Sequence, residues 1–337
     1  MTELAPFQVA RPRDVEAAIA LCSANAQSRY VAGGTDLIVN MRRGIRRPEL
    51  LIDLTGLDAL NEFEMTDAGA RIGAGVTLAR FAADPGVRER YRGAAEAAEA
   101  IAGPGHRSMA TVGGNLCLDT RCIYYNQSEW WRRSNQYCLK HRGDTCHVAP
   151  QGQRCHAAFS GDLAPALMVL GTEVEIAGPG GRRRIPLADL YAEDGRAHLK
   201  LALGELLICL QLPSAPPPSA YAKVRLRGAI DFPLAGVAVC LAIVDGIVST
   251  LRVGLTGTNS RPLLLEGTDS FVGRPLDDEA LGRLDKLVQK QVQPMRTTLA
   301  SANYRRLAAA ALARRLAIRL AGAKGMNRTG IFGGSNF

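Results

Sequence analysis

Hydrophobic positions recur with helical spacing in some segments and with strand spacing in others, which predicts an α+β chain. In the first 55 residues, the pattern predicts helices at residues 15–26 and from Asp36, and strands at 30–32 and 50–54. This alternation favours a small α/β unit. Further along, an alanine-rich helix is predicted at 93–102, and strands are predicted at 71–75, 173–177 and 206–212.

The clearest break in the pattern is the segment 213–219, which contains three consecutive prolines. Such a run stops both a helix and a β-ladder. Beyond it, the strands predicted at 235–244 and 247–256 flank Asp245-Gly246, a hairpin signal. Helices are predicted at 277–292 and 303–321. We therefore expect domains at 1–213 (subdomains about 1–55 and 56–213) and 219–322, then a flexible tail at 323–337.

The composition is that of a folded protein, since 47% of the 337 residues are hydrophobic and 22% are charged. The N-terminal residues lack the basic and apolar regions of a secretory signal. The longest strongly apolar run, residues 234–244, is shorter than the roughly 20 residues that span a bilayer. We therefore expect a cytoplasmic protein that does not enter a membrane.

The net charge of +9 is concentrated near the C-terminus, where residues 283–328 contain eleven Lys or Arg and one acid. Such a segment is typical of a solvated helix face, or of a surface that docks acidic partners. No zinc-finger pairing and no RNA-binding strand motif accompanies it, so nucleic-acid binding is not expected.

Seven of the eight cysteines divide into two groups, and Cys117 directly follows the TVGGNL segment at 111–116. Cys22, Cys209 and Cys240 stand alone in apolar surroundings, which predicts small buried side chains. A second group lies in a segment of residues 119–159, the cysteine insertion, with the spacing C-x15-C-x7-C-x8-C: Cys122, Cys138, Cys146 and Cys155. Zinc sites usually use closer pairs, whereas an iron–sulfur cubane takes thiolates from any spacing that the fold permits. Spacing alone leaves a cluster, zinc and free thiols open.

Two segments share a Gly-Gly pair after an apolar approach: VAGGTDL at 31–37 and TVGGNL at 111–116. Glycines permit positive φ and let backbone N–H groups converge on an anion, although a Gly-Gly pair also serves as a plain tight turn. Neither segment is a Gly-x-Gly-x-x-Gly or Walker sequence, so a Rossmann NAD site and a P-loop are unsupported.

Together with SGDLAPAL (160–167), GELLI (204–208) and YAKVR (221–225), these turns resemble the flavoprotein subunits of the xanthine oxidase and carbon monoxide dehydrogenase family. The resemblance implies an FAD-binding fold of the PCMH (vanillyl-alcohol oxidase-like) type with a C-terminal α/β domain. One departure is HRS at 106–108, where many members have Ile-Arg-Asn. The FAD contacts that the resemblance implies are Val31, Ala32, Gly33, Gly34, Thr35, Asp36, Leu37, Ile38, Thr111, Gly113, Gly114, Asn115, Asp162, Leu207 and Lys223.

Within the insertion, DTRCIYYNQSEWW (119–131) and the later cysteines resemble the β subunits of 4-hydroxybenzoyl-CoA reductases. That resemblance implies a 4Fe–4S cluster on Cys122, Cys138, Cys146 and Cys155. It implies a heterotrimer in which electrons pass from ferredoxin through this chain and a small 2Fe–2S subunit to a large molybdenum subunit. The large subunit would reductively dehydroxylate the substrate in anaerobic aromatic degradation, so no catalytic residue is expected here.

Two other functions stay open at this point. One is the flavin subunit of a molybdenum hydroxylase or dehydrogenase that passes electrons outward to NAD or a quinone. The other is a zinc-stabilised basic module, which leaves both glycine turns unexplained.

Overall fold

The structure, a computed structural model, describes residues 4–296 and 300–325. Among these residues there are three β-sheets, of three, five and four strands, with helices packed against them. The fold is therefore α+β, as predicted. The expected flexible tail begins inside the last helix, and its residues from 326 onward lie outside the described residues.

The N-terminal unit is a parallel sheet of β1 (Gln8–Ala10), β2 (Ser28–Val31) and β3 (Leu50–Asp53), in the order β1-β3-β2. Its helices are α1 (Val15–Ala24) and α2 (Leu37–Arg42). The first glycine turn connects β2 to α2 and so lies at the carboxyl edge of a parallel sheet. Ligands of open α/β sheets bind at this edge.

The second unit contains an antiparallel sheet in the order β4-β5-β8-β6-β7. Its strands are β4 (Phe63–Thr66), β5 (Gly69–Gly73), β6 (Glu173–Gly178), β7 (Gly181–Pro186) and β8 (Leu206–Pro213). Its helices are α3 (Leu78–Ala83), α4 (Pro85–Arg90), α5 (Arg92–Ala100), α6 (Pro104–Arg107), α7 (Val112–Leu116), α8 (Glu129–Ser134) and α9 (Leu163–Met168). The alanine face of α5 is fully buried in the core of this unit.

The C-terminal unit is an antiparallel sheet in the order β12-β11-β10-β9, covered by two helices. Its elements are β9 (Ser219–Val224), β10 (Ala235–Val244), β11 (Ile247–Thr256), β12 (Leu263–Leu264), α10 (Asp278–Gln291) and α11 (Ala302–Gly325). The predicted hairpin is confirmed. Asp245 and Gly246 have φ values of 49° and 81°, and two positive φ angles are what a type I′ turn requires.

The second and C-terminal units meet where α5 packs against β9. A Cβ on Gly93 would lie only 2.9 Å from the backbone nitrogen of Ala220, so the two backbones approach closely there. The amide of Tyr221 donates to the Glu96 carboxylate at 2.8 Å across the same contact. The packing therefore fixes β9 relative to the second unit.

Part of the basic charge near the C-terminus forms ion pairs and hydrogen bonds with other residues of this chain. Arg314 pairs with Asp278 and Asp285, and Arg319 pairs with Glu96. Arg305 is 3% exposed and donates to backbone carbonyl groups. Among the described residues, no helix combines the length and the apolar character needed to cross a membrane.

Candidate functional site

A cavity of about 370 Å³ lies where the two glycine turns face each other, and we call it the glycine-turn cavity. Its size falls within the range of small-molecule sites. Its walls come from the N-terminal unit, from α6 and α7, and from a loop that follows β9. The lining residues are Tyr30, Val31, Ala32, Gly33, Gly34, Thr35, Asp36, Leu37, Val39, Arg43, Ile101, Ala102, His106, Ala110, Thr111, Gly114, Asn115, Cys117, Leu118, Arg121, Ser160, Asp162, Ile230, Asp231 and Phe232.

The first glycine turn needs both of its glycines for steric reasons. A Cβ on Gly33 would lie 1.8 Å from the carbonyl oxygen of Met109, and Gly34 has a left-handed φ of 68°. Within the described part of the chain, the amide N–H groups of Gly33, Gly34 and Thr35 donate to no other group. The turn therefore presents free backbone donors at the cavity wall, as an anion site requires.

The second glycine turn is built differently. The hydroxyl of Thr111 accepts a hydrogen bond from the Gly114 amide at 3.0 Å, and the Gly113 amide donates to the Ala74 carbonyl at 2.8 Å. The glycine amides of the second turn are therefore occupied within the protein, whereas those of the first turn are free. Gly113 is required because a Cβ there would lie 2.7 Å from the Ala74 Cβ.

A buried carboxylate, that of Asp162, forms another part of the cavity wall. Asp162 precedes α9 and is 3% exposed. It accepts from the Tyr221 hydroxyl at 2.5 Å, and Lys223 Nζ lies 3.0 Å from its Oδ1. Burial raises the pKa of Asp162, and the neighbouring Lys223 ammonium opposes that rise. Since Tyr221 and Lys223 belong to β9, this contact joins two units at the cavity.

The structure divides the predicted FAD contacts into two groups. Most of them line the cavity: Val31, Ala32, Gly33, Gly34, Thr35, Asp36, Leu37, Thr111, Gly114, Asn115 and Asp162. Four do not. The Ile38 side chain packs against Gly34, Gly113 lies behind the wall, and Leu207 is buried in the core of the second unit. Lys223 lies behind Asp162 and acts on the cavity through that carboxylate.

Two further residues of the wall, Arg121 and Phe232, carry chemistry that the sequence did not indicate. The Arg121 guanidinium contacts the Asp36 carboxylate and lies 4.7 Å from the centroid of the Phe232 ring. Burial lowers the pKa of Arg121 to about 10. No motif connects these three residues, because they lie 85 or more positions apart and only the fold brings them together.

The two ends of the cysteine insertion are paired at the cavity wall, at Arg121 and Ala158, and we call this pairing the neck. Arg121 and Ala158 exchange two backbone hydrogen bonds, of 2.7 and 2.8 Å. Beyond the neck, Arg132 is 1% exposed, bonds to the carbonyl of Gly44 and pairs with Glu129. The insertion is therefore tied to the N-terminal unit.

The four insertion cysteines line one small cavity, which we call the cysteine cavity. The backbone N–H of Ala157 donates to Cys155 Sγ at 3.4 Å. Burial raises the pKa of Cys122 to about 11 and that of Cys155 to about 12, and nearby backbone N–H groups oppose the rise. The ligation of one cluster by these four cysteines stays a prediction.

Over residues 4–296 and 300–325, no group of three or more His, Cys, Asp or Glu side chains is arranged to hold a metal ion. A structural zinc needs four donors about 2.3 Å from one point. The four thiols instead surround a shared space. The three isolated cysteines, Cys22, Cys209 and Cys240, are buried in the cores, as predicted.

Comparison with known proteins gives the same domain types over most of the chain. A family model described as the FAD binding domain in molybdopterin dehydrogenase matches residues 5–215. A second, the CO dehydrogenase flavoprotein C-terminal domain, matches residues 219–320.

The match to individual relatives covers most of the length of this chain and of each relative. The chain is 37% identical over 256 residues to the aldehyde oxidoreductase FAD-binding subunit PaoB of Escherichia coli, covering 72% of this chain and 78% of the relative. It is 28% identical over 313 residues to the carbon monoxide dehydrogenase medium chain of Afipia carboxidovorans, covering 92% and 94%. A solved structure of the reconstituted CO dehydrogenase from Oligotropha carboxidovorans superposes with a TM-score of 0.78 at 25% identity, covering 96% of this chain and 99% of the other.

We predict that Gly114→Val lowers the FAD content of the purified protein to less than half of the wild-type value. Gly114 lines the cavity and does not have a left-handed φ, so a valine side chain there would occupy the site, with its Cβ 3.0 Å from the Thr111 hydroxyl oxygen. FAD released by denaturation, measured per chain, checks this. Gly105→Val is the matched control, since a Cβ there meets nothing within 4 Å. Full FAD occupancy in a folded Gly114→Val protein would contradict the site.

We also predict that the folded state loses stability as the pH falls from about 6.5 to about 4. Burial lowers the pKa of His198 to about 4. In that pH range the unfolded chain binds a proton that the folded chain does not, so the stabilisation is complete above 6.5 and is lost below it. The loss amounts to about 3 kcal/mol, because one unit of pKa corresponds to about 1.4 kcal/mol.

Urea unfolding across this pH range tests the prediction with His198→Gln, which cannot titrate. The variant should show a smaller pH dependence than the wild type. Equal slopes in the wild type and the variant would rule out His198 as a source.

Proposed function

Because the chain belongs to the family of FAD-binding subunits of molybdenum hydroxylases and dehydrogenases, we propose that it is the electron-transfer subunit of such a complex. In this proposal it holds FAD in the glycine-turn cavity and a 4Fe–4S cluster in the cysteine cavity. The observation that carries this proposal is that adjacent residues of the chain line the two cavities. Arg121 lines one and its neighbour Cys122 lines the other.

The walls of the glycine-turn cavity suit a dinucleotide. The free amides of Gly33, Gly34 and Thr35 would donate to the anionic pyrophosphate. The amide side chain of Asn115 is oriented by the Leu163 N–H, which donates to its Oδ1 at 3.1 Å. Asp162, fixed by Tyr221 and Lys223, would orient the ligand by hydrogen bonding. FAD supplies one- or two-electron exchange, and the protein supplies binding and orientation.

The cysteine cavity suits an iron–sulfur cluster better than zinc. Four cysteines are the usual ligand set of a 4Fe–4S cluster, which is larger than one ion and so takes thiolates from around a space rather than a point. The backbone N–H of Ala157, directed at the sulfur of Cys155, would stabilise the thiolate form that ligation needs. Cys138, Cys146 and Cys155 are each at most 8% exposed, which protects such a group from solvent.

The partners we propose are a large molybdenum subunit, which would carry the substrate site, and a small 2Fe–2S subunit. The word "medium" in the name of the carbon monoxide dehydrogenase relative supports this. We propose a cytoplasmic location for the complex. No residue of this chain is assigned to general acid, general base or nucleophilic catalysis.

Two directions of electron flow are supported by different observations. The insertion resembles 4-hydroxybenzoyl-CoA reductases, which favours inward flow from ferredoxin to the molybdenum subunit. The relatives above are named an aldehyde oxidoreductase and a carbon monoxide dehydrogenase, which favours outward flow from a substrate to an acceptor. Because sequence identity reaches 37% for the first of these relatives, we propose outward flow, with inward flow as the second candidate.

The two directions predict different anaerobic reactions of the purified complex. With outward flow, an aldehyde should bleach the flavin absorbance within the turnover time, and the complex should then reduce an added acceptor. With inward flow, reduced ferredoxin should bleach the flavin, and 4-hydroxybenzoyl-CoA should reoxidise it. A complex that an aldehyde cannot reduce, and that 4-hydroxybenzoyl-CoA reoxidises, would reverse our assignment.

We predict that Cys138→Ser lowers bound iron by about four atoms per chain and leaves most of the FAD in place. The reason is that Cys138 lines the cysteine cavity and not the glycine-turn cavity. Metal analysis and the visible spectrum provide the measurement. Cys240→Ser is the matched control, because Cys240 is buried in β10.

Zinc ligation gives a different result for the same variant. Zinc rather than iron would then be lost, and the visible spectrum would not change. Wild-type iron content in Cys138→Ser would remove the cluster from the proposal and leave the FAD assignment intact.

A further inference from the structure

A buried cation forms part of the wall of the cysteine cavity. The side chain of Lys140 is 3% exposed. Its Nζ donates to Asp119 Oδ1 at 2.7 Å, to the Thr120 carbonyl at 2.9 Å and to the Thr120 hydroxyl oxygen. That hydroxyl in turn donates to the Gly195 carbonyl, so towards Lys140 it acts as an acceptor. Three acceptors use three N–H donors, which only the ammonium form provides.

The charge of Lys140 is not fully balanced by its surroundings. Asp119 is shared, because it also accepts from Arg46 at 3.1 Å. Burial would raise the pKa of Asp119, but Lys140 and Arg46 lower it, so the carboxylate stays ionised. The other groups that face Lys140 are the ring of Tyr125, 4.4 Å from Nζ, and His198. Two cations around one carboxylate leave a net positive charge.

This charge lies beside the thiols, because Lys140 and the four insertion cysteines line the same cavity. Burying a cation is costly, and an apolar side chain would fill the same space without that cost. The position of the ammonium beside the thiols therefore suggests an electrostatic role.

We propose that Lys140, with Asp119 as its counter-charge, sets the reduction potential of the cluster that Cys122, Cys138, Cys146 and Cys155 would hold. The inference rests on the proposed function. Net charge near a cluster is one of the determinants of its potential. A fixed positive charge stabilises the form with one more electron, so Lys140 raises the potential and Asp119 lowers it.

The test is a redox titration of the complete complex, followed by electron paramagnetic resonance and visible absorbance. Lys140→Gln should lower the midpoint potential of the cluster by at least 59 mV, which is a tenfold change in the equilibrium constant of a one-electron reduction. Asp119→Asn should raise the potential. The double variant should return towards the wild type, and Lys140→Arg, which keeps the charge, should stay near it.

The signs of the shifts distinguish a charge effect from a structural one. Loosening of the cavity would move the potentials of Lys140→Gln and Asp119→Asn in the same direction, and that result, or no shift in either, would overturn the inference. If Lys140→Gln fails to assemble, the test is made with Asp119→Asn, which should raise the potential, and with Lys140→Arg, which should leave it near the wild-type value; a lowered or unchanged potential in Asp119→Asn would overturn the inference. If the wild-type complex contains iron but its potential does not shift in the variants, this inference alone is refuted. If the wild-type chain contains no iron, the proposed cluster is refuted and the inference with it.

Discussion

The paired backbone hydrogen bonds between Arg121 and Ala158 are the constraint on which the rest of the site depends. They bring the two ends of a long insertion together, so that the chain leaves the cavity wall and returns to it at one place. Phe159, the next residue, exchanges backbone bonds with Gly257 and Asn259 of the C-terminal unit. The neck therefore connects the insertion to the contact between the second unit and the C-terminal unit, and both cavities form beside it.

Buried charges fix the same region in one arrangement. Asp162 with Lys223 joins α9 to β9, and Asp119 with Lys140 joins the start of the insertion to its middle. Removing one partner of a buried pair leaves an uncompensated charge, which is strongly destabilising. Such pairs add little net stability, but they penalise alternative packings. Their positions beside the two cavities suit the proposed function, in which two redox groups would be kept at a constant separation.

Several elements followed from local sequence alone. The hairpin at Asp245-Gly246 was predictable because only certain residues adopt two consecutive positive φ angles. The long helices α10 and α11 were predictable from periodicity, within a few residues at each end. The short helices α3, α4, α6, α8 and α9 were not predicted, because four to six residues give too few turns for a periodic pattern.

The sequence by itself determined which residues could take part: the two Gly-Gly turns, the four insertion cysteines and the buried isolated cysteines. These depend on local backbone freedom and side-chain chemistry, which the sequence contains. Only the tertiary structure decided that the amide of Gly33 is free while that of Gly114 is occupied, and that Lys140 lies beside the cysteines. Hydrogen-bond partners and burial are set by segments distant in sequence, so no local pattern specifies them.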